Sequence, residues 1–412
     1  MKQLPPLSAL QPRFFPASRF LAGFFLGATL VSLRLSATET ALPVTHEVLD
    51  TKVISHQPQY YDGWPTIAIR EGKLMLVYSG GREDHVCPFG RLECMVSSDG
   101  GNSWAWPQIL FDSAIDDRDS GILVTRRGTI LVPVYSSLAY QIHYKHQNRR
   151  MKEVFGDALA LHMERWRIAE LRTTDAEKEK LRGPRMIRST DGGITWSAAY
   201  TVPCFSPHGP AQLADGRILY AGANGKKAGA WISNDDGLTW DLLSDLPLRA
   251  GEIHAVEAAD GTLIVQVRDK KPAPAAPASA QPRTVGKSVE QGSPTINTGI
   301  TQTESKDGGR TWTSPHEIGV TGYPSHLVRL KDDVLLMTYG MRKKPLGIRA
   351  KTSKDHGQTW GPEMILTSDG VSDDLGYPST AQLPDETLVT VWYEERPGSH
   401  NAVLRQAKWK LR

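Results

Sequence analysis

Cysteine is nearly absent from this chain: three residues in 412, Cys87, Cys94 and Cys204. Three cysteines cannot make a disulfide framework. At most a Cys87–Cys94 bridge could form in an oxidising compartment, leaving Cys204 over. Their spacing, taken with the histidines, carries no zinc signature, and no metal or other cofactor is expected. Charge of one sign is also scarce. The formal net charge is +3, and the Lys and Arg residues are scattered rather than striped, which argues against nucleic-acid binding. Long apolar runs are missing beyond the N-terminus, so no membrane span is expected once that segment is removed. Hydrophobic residues make up 40% of the chain, an ordinary share for a globular protein with a large core.

What the N-terminus has is an export pattern. Lys2, Arg13 and Arg19 precede "FLAGFFLGATLVSL", and the small residues Ser36 and Ala37 follow. Residues 1–37 therefore read as a signal peptide, and the protein as exported to a periplasmic or extracellular space. The folded domain is expected over 42–412, acting as a monomer.

Five copies of one octapeptide then dominate the chain: "SSDGGNSW" (97–104), "STDGGITW" (189–196), "SNDDGLTW" (233–240), "SKDGGRTW" (305–312) and "SKDHGQTW" (353–360). A second repeat interleaves with them. "WPTIAIREGKLMLVYSG", "DSGILVTRRGTILVPVYS", "HGPAQLADGRILYAGA", "IHAVEAADGTLIVQVR", "PSHLVRLKDDVLLMTYG" and "PSTAQLPDETLVTVWYE" each place a turn between two apolar runs, the pattern of a β-hairpin. Six hairpins alternating with five turn boxes predict six small antiparallel sheets packed radially, an all-β six-bladed propeller. The box fits a turn between the two outer strands of a blade. Its Asp bonds backbone N–H groups, its Gly takes a positive φ, and its Trp buries apolar surface. The sixth hairpin is followed by "AVLRQAKWKL" and no box, so "HEVLDTKVIS" near the start is expected to complete the last blade and close the ring.

Two intervals exceed the period. Residues 141–183 are rich in Ala, Leu, Glu, Lys and Arg and read as a helical insertion, either a solvated surface element or a roof over the cleft. Residues 270–295 form a Pro/Ala-rich loop.

In a hairpin of this kind, the start of the first strand and the end of the second share one rim. Starts contribute Trp64, Asp119, His208, Glu252, Tyr323 and Tyr377. Ends contribute Arg82 to His85, Tyr135, Asn224, Arg268, Tyr339 to Arg342, and Tyr393 to Glu395. Acids, tyrosines and arginines thus converge on one mouth, a composition suited to a carbohydrate site. Asp116, Asp117 and Asp119 read as solvated loop carboxylates rather than a calcium site. His208 reads as a satisfied loop histidine.

From about Tyr60 to Arg412 the chain resembles the exo-α-sialidase (neuraminidase) family, whose propellers carry such boxes away from the active face. The boxes also occur in sortilin-type receptors and in polysaccharide-cleaving enzymes, so they speak to fold more than to activity. "EIHAVEAADGTLIVQVR" resembles that family's glutamate-to-arginine hairpin and implies Glu252 as partner of a tyrosine nucleophile, with Arg268 as a carboxylate clamp. "GYPSTAQLPDETLVTVWYE" implies Tyr377 as the nucleophile. "LLMTYGMRKKPLGIR" implies Arg342 as a second clamp, and "GGREDHV" implies Asp84 as acid/base, with Glu83 and His85 beside it. Guanidinium forks suit the carboxylate of sialic acid. A neutral tyrosine avoids the repulsion that a carboxylate nucleophile would meet there.

The chain departs from this pattern at its first blade. Gly63, in "DGWPTI", stands where the family has its first clamp arginine, which leaves Arg82 or Arg118 to compensate, with Asp119 and His208 as further candidate substrate contacts. The resemblance therefore implies release of terminal sialic acid from glycans. Two alternatives stand beside it: a hydrolase or lyase acting on another acidic sugar, and a non-catalytic glycan- or protein-binding propeller in which Glu252–Arg268 is only a structural ion pair.

Overall fold

A computed structural model describes residues 45–146, 149–272 and 295–412, and these form six antiparallel sheets in chain order around one axis. The first blade runs Tyr61–Arg70, Lys73–Arg82, Arg91–Ser97 and Gln108–Phe111. The second begins with Asp116–Arg118 and Leu123–Val124, both paired with Ile130–Ser137, and continues through Gly183–Ser189 and Tyr200–Thr201. The third, fourth and fifth open on Ala211–Gln212, Ile253–Glu257 and Ser325–Arg329. The sixth combines Leu375–Gln382, Leu388–Glu395 and Ala402–Leu411 with the N-terminal strand His46–Val53. That strand pairs from His46 opposite Leu411 to Val53 opposite Arg405 and closes the ring.

Each box is the expected turn between third and fourth strands. In the first, Gly101 N donates to Ser97 Oγ (2.8 Å), while Ser103 N and Ser103 Oγ donate to the Asp99 carboxylate (2.9 and 2.6 Å). Equivalent bonds recur at Asp191, Asp235, Asp307 and Asp355. At Asp191 the Thr195 hydroxyl and N–H hold the carboxyl down at about 2. The tryptophans reach further than a turn requires. Trp104 Nε1 donates to Gln406 (2.9 Å), Trp312 to Ser244 (2.8 Å) and Trp360 to Gln302 (3.0 Å), in each case on the preceding blade. Gln406, Ser244 and Gln302 donate back to the box carbonyls of Gly101, Gly309 and Gly357. The box thus joins blades as well as strands.

The innermost strands are joined by a second ring of bonds. Ile67 N donates to Ser379 Oγ (3.2 Å), and Thr66 Oγ1 to the carbonyls of Ser120 (2.9 Å) and Pro207 (3.3 Å). Ser206 Oγ donates to the Ile253 carbonyl. Leu327 N donates to His254 Nδ1 (2.9 Å) and Thr380 N to His326 Nδ1 (3.4 Å). Every blade is therefore tied at the axis, where buried backbone groups need partners.

The long interval in the second blade is helical: Tyr140–His146, Arg149–Phe155, Leu159–Glu170 and Asp175–Leu181, the last opened by a Thr174–Glu177 capping box. Trp166, Tyr140 and Met151 bury a small core against Cys87 and Ile115 of the propeller. All three cysteines are buried and free, so the Cys87–Cys94 bridge does not form. Most of the Pro/Ala-rich loop and the whole export segment lie outside the described residues. Among those described, no helix is long and apolar enough to cross a membrane.

Candidate active site

Three consecutive blades interrupt their innermost strand in the same way. Ladder register shifts between Gly63 and Thr66 and between Gly376 and Ser379, and the second blade's inner strand breaks after Arg118. At each break a non-glycine residue takes a left-handed conformation: Trp64 (φ 53°), Tyr377 (φ 49°) and Asp119 (φ 51°). Bulges re-aim side chains, and backbone strain of this kind gathers at functional sites.

Tyr377 Oη donates to Glu252 Oε1 at 2.5 Å, and Arg268 Nη1 lies 2.7 and 2.9 Å from the two oxygens of the same carboxylate. Burial alone would push the Glu252 carboxyl up. The Arg268 guanidinium, the Lys270 ammonium and the Tyr377 hydroxyl outweigh it and hold the group at about 2. Burial, then the charges of Glu252 and Asp119, push the Tyr377 phenol well above its ordinary range. The resting pair is thus a neutral phenol on a carboxylate.

Arg342 stands over the Tyr377 ring (5.8 Å), and the Tyr323 ring lies between it (5.5 Å) and Arg268 (4.3 Å). Arg342 makes one long bond, Nη2 to Tyr393 Oη at 3.4 Å, and its Nε is buried with no partner among the described residues. Arg118 stacks on the Trp64 indole (4.5 Å), and its Nε, ion-paired with Asp119 Oδ2 at 3.4 Å, makes no hydrogen bond among the described residues. Two guanidiniums with unused donors beside the Tyr377 phenol can receive an anion.

Arg82 is differently placed. It is wholly buried, and its fork is spent on Asp116 (2.6 and 3.0 Å), Ser79 Oγ (3.0 Å) and the His85 carbonyl (2.9 Å). A Cβ on Gly90 would strike this pair, which is why glycine stands there. Nor are Asp116 and Asp117 solvated loop carboxylates. Both are 0% exposed, and Asp117 accepts from Ser113 and Ser136 while burial lifts it to about 7.

The loop after Arg82 divides its three candidates. Glu83 faces the insertion, accepting from His162 Nδ1 and Trp166 Nε1 (both 2.9 Å) and pairing with Arg165 (2.6 Å). The helices therefore brace this loop. Glu83→Gln, which removes the ionised acceptor, should loosen the brace by about 1.5–3 kcal/mol, read as faster amide exchange across residues 159–181. Asp84 is buried, with Oδ1 accepting from His85 N (2.7 Å). His85 Nδ1 lies 3.0 Å from Asp374, a buried carboxylate that also accepts from Tyr61 (3.0 Å) and Tyr393 (3.1 Å).

His208 is not a satisfied loop histidine. It is buried 6.2 Å from the Tyr377 ring, neither nitrogen has a hydrogen-bond partner among the described residues, and burial lowers its pKa to about 4. His254 and His326 complete a cluster with ring separations of 4.8–5.3 Å. Nδ1 of both accepts a backbone N–H, which puts the hydrogen of each neutral ring on Nε2. No metal-binding group occurs among the described residues. Sequence reasoning passed over His254, His326, Tyr61 and Asp374. The "EIH" and "PSH" at the heads of the fourth and fifth hairpins were the available signal for the two histidines.

The six-bladed ring is a fold shared with sialidases. A profile of the BNR repeat-like domain matches residues 168–391, more than half of the chain, which therefore belongs to that sialidase-like family. Among solved structures the fold resembles a protein of unknown function from Dyadobacter fermentans (TM-score 0.66, 23% identity, covering 89% of this chain and 99% of that one). It also resembles a mutant NanB sialidase of Streptococcus pneumoniae (0.57, 12%, 85% and 68%) and a Hadza microbial sialidase (0.54, 19%, 84% and 65%). No curated protein matches the chain.

Proposed function

We propose that the protein is an exported, retaining exo-glycosidase of sialidase type that releases a terminal acidic sugar, sialic acid, from glycans. One observation carries this reading: the Tyr377–Glu252–Arg268 contact at the propeller mouth, with the unsatisfied guanidinium of Arg342 over the same phenol. Arg268 and Arg342 take the sugar carboxylate. Arg118, whose donors are not spent as those of Arg82 are, stands in for the arginine missing at Gly63. Tyr377 attacks the anomeric carbon as its proton passes to Glu252.

Trp64 favours a second reading. Its indole follows Gly63, where the resemblance expects the arginine, and is wedged against Arg82 (4.9 Å) and Arg118 (4.5 Å). A smaller acidic sugar, such as a uronic acid, would suit an apolar wall there. Purified protein incubated with sialyl-oligosaccharides and with uronic-acid glycosides decides between them. Release of sialic acid, and none from the amide of the same sialoside, is the expected result. Turnover of uronides alone would move the substrate to the second reading, and turnover of neither would remove both.

A further inference from the structure

We infer that Asp119, not Asp84, exchanges the proton with the departing and entering oxygens. The inference rests on the glycosidase reading above and adds to it the identity of the acid/base. Asp119 is aimed by the same device as Tyr377. Each sits at a break in its blade's innermost strand, in the left-handed region, with Trp64 at the equivalent position of the blade between them. A local turn would not need this. The other non-glycine residues at positive φ lie in hairpin turns (Glu71, Asp333, Glu386) or in the boxes (Asp236, His356).

The two oxygens of Asp119 are also unequal. Oδ2 lies 3.4 Å from Arg118 Nε, while Oδ1 is buried with no partner among the described residues. That oxygen has a lone pair to spare on a side chain that is 19% exposed, and a leaving oxygen or a water takes it when the carboxyl turns toward the mouth. The charge of Asp119 also acts directly on Tyr377 and on Glu252, so all three share one electrostatic neighbourhood. Burial pushes the carboxyl up against the pull of Arg118, the direction a proton donor needs. Asp84, by contrast, folds its Oδ1 onto the next backbone N–H.

The steps balance. The Tyr377 oxygen bonds to the anomeric carbon as the bond to the leaving oxygen breaks. The phenol proton passes to Glu252, and the Asp119 proton goes to the leaving oxygen. Water then attacks the same carbon, its proton returns to Asp119, and the departing phenolate regains its own from Glu252.

The test compares Asp119→Asn and Asp84→Asn on two sialosides of the same sugar, one with an alkyl and one with a nitrophenyl leaving group. Only the alkyl leaving group needs a proton. Asp119→Asn should lose about 10²–10⁴-fold on the alkyl glycoside and far less on the nitrophenyl one. Added azide should accelerate the latter and yield the glycosyl azide, and Asp84→Asn should show none of this. Equal losses on both substrates, or the same signature in Asp84→Asn, would overturn the inference. If Asp119→Asn does not fold, Asp119→Ala with formate restoring the alkyl activity serves in its place, and failure of rescue counts against the inference. Should the unmodified protein cleave neither sialoside, the glycosidase reading itself fails, and that arm reports it separately.

Discussion

Tyr377→Phe is expected to abolish turnover, by roughly 10⁴-fold or more, while leaving binding of the acidic sugar close to its original affinity. The change removes one oxygen. It forfeits the covalent route, since phenylalanine has no nucleophile, and frees Glu252 from the 2.5 Å bond. The carboxylate stays held by Arg268 on the other side, so the site should keep its shape and charge. Binding rests on Arg342 and Arg268, which the change does not touch. Rates on the best available sialoside, with calorimetric binding of an unreactive analogue, check both halves. A variant with near-normal turnover would mean that the phenol is only packing at the mouth. Lost turnover accompanied by lost binding would mean that it is part of the anion site.

The second large effect concerns stability. Arg82→Met should destabilise the propeller by about 3–5 kcal/mol, because it leaves the fully buried Asp116 carboxyl without its charge partner. Both partners are wholly buried, and the fork also holds Ser79 and the His85 carbonyl. Three elements are pinned by one guanidinium: the end of the second strand of the first blade, the loop carrying Glu83 to His85, and the inner strand of the second blade. Arg82→Met with Asp116→Leu removes both charges and should recover much of the loss. Denaturant midpoints of the single and double variants test this. An unchanged midpoint in the single variant would show that Asp116 finds another partner.

Much of the architecture is legible in the chain because it is periodic. The boxes recur with Ser, Asp, Gly and Trp at fixed offsets, and the hairpins alternate with them. The absence of a box after the sixth hairpin pointed to the closing strand at His46–Val53. The rim residues were legible for a related reason: hairpin polarity assigns strand ends to one mouth without any knowledge of contacts. Partners between blades were not legible. Arg82 and Asp116 are ordinary charged residues until folding brings them together, and reading Asp116 and Asp117 as solvated followed from their loop-like surroundings. The tryptophan donors, the collar at Ser379, Thr66, His254 and His326, and the Glu83 anchor all join segments whose separation carries no repeat. Trp64 and Asp119 appeared in the rim list, but the strand breaks that turn them inward depend on register, which side-chain alternation alone does not reveal.

Arg268 holds two offices at once. It lies on Glu252 and holds that carboxyl at about 2, which makes it a poor acceptor for the phenolic proton. An incoming anion competes for the same guanidinium, and every bond it wins makes Glu252 a better base. On the proposed chemistry the ligand's own charge arms the nucleophile, so a neutral sugar of matching shape could lodge at the mouth and leave it dormant.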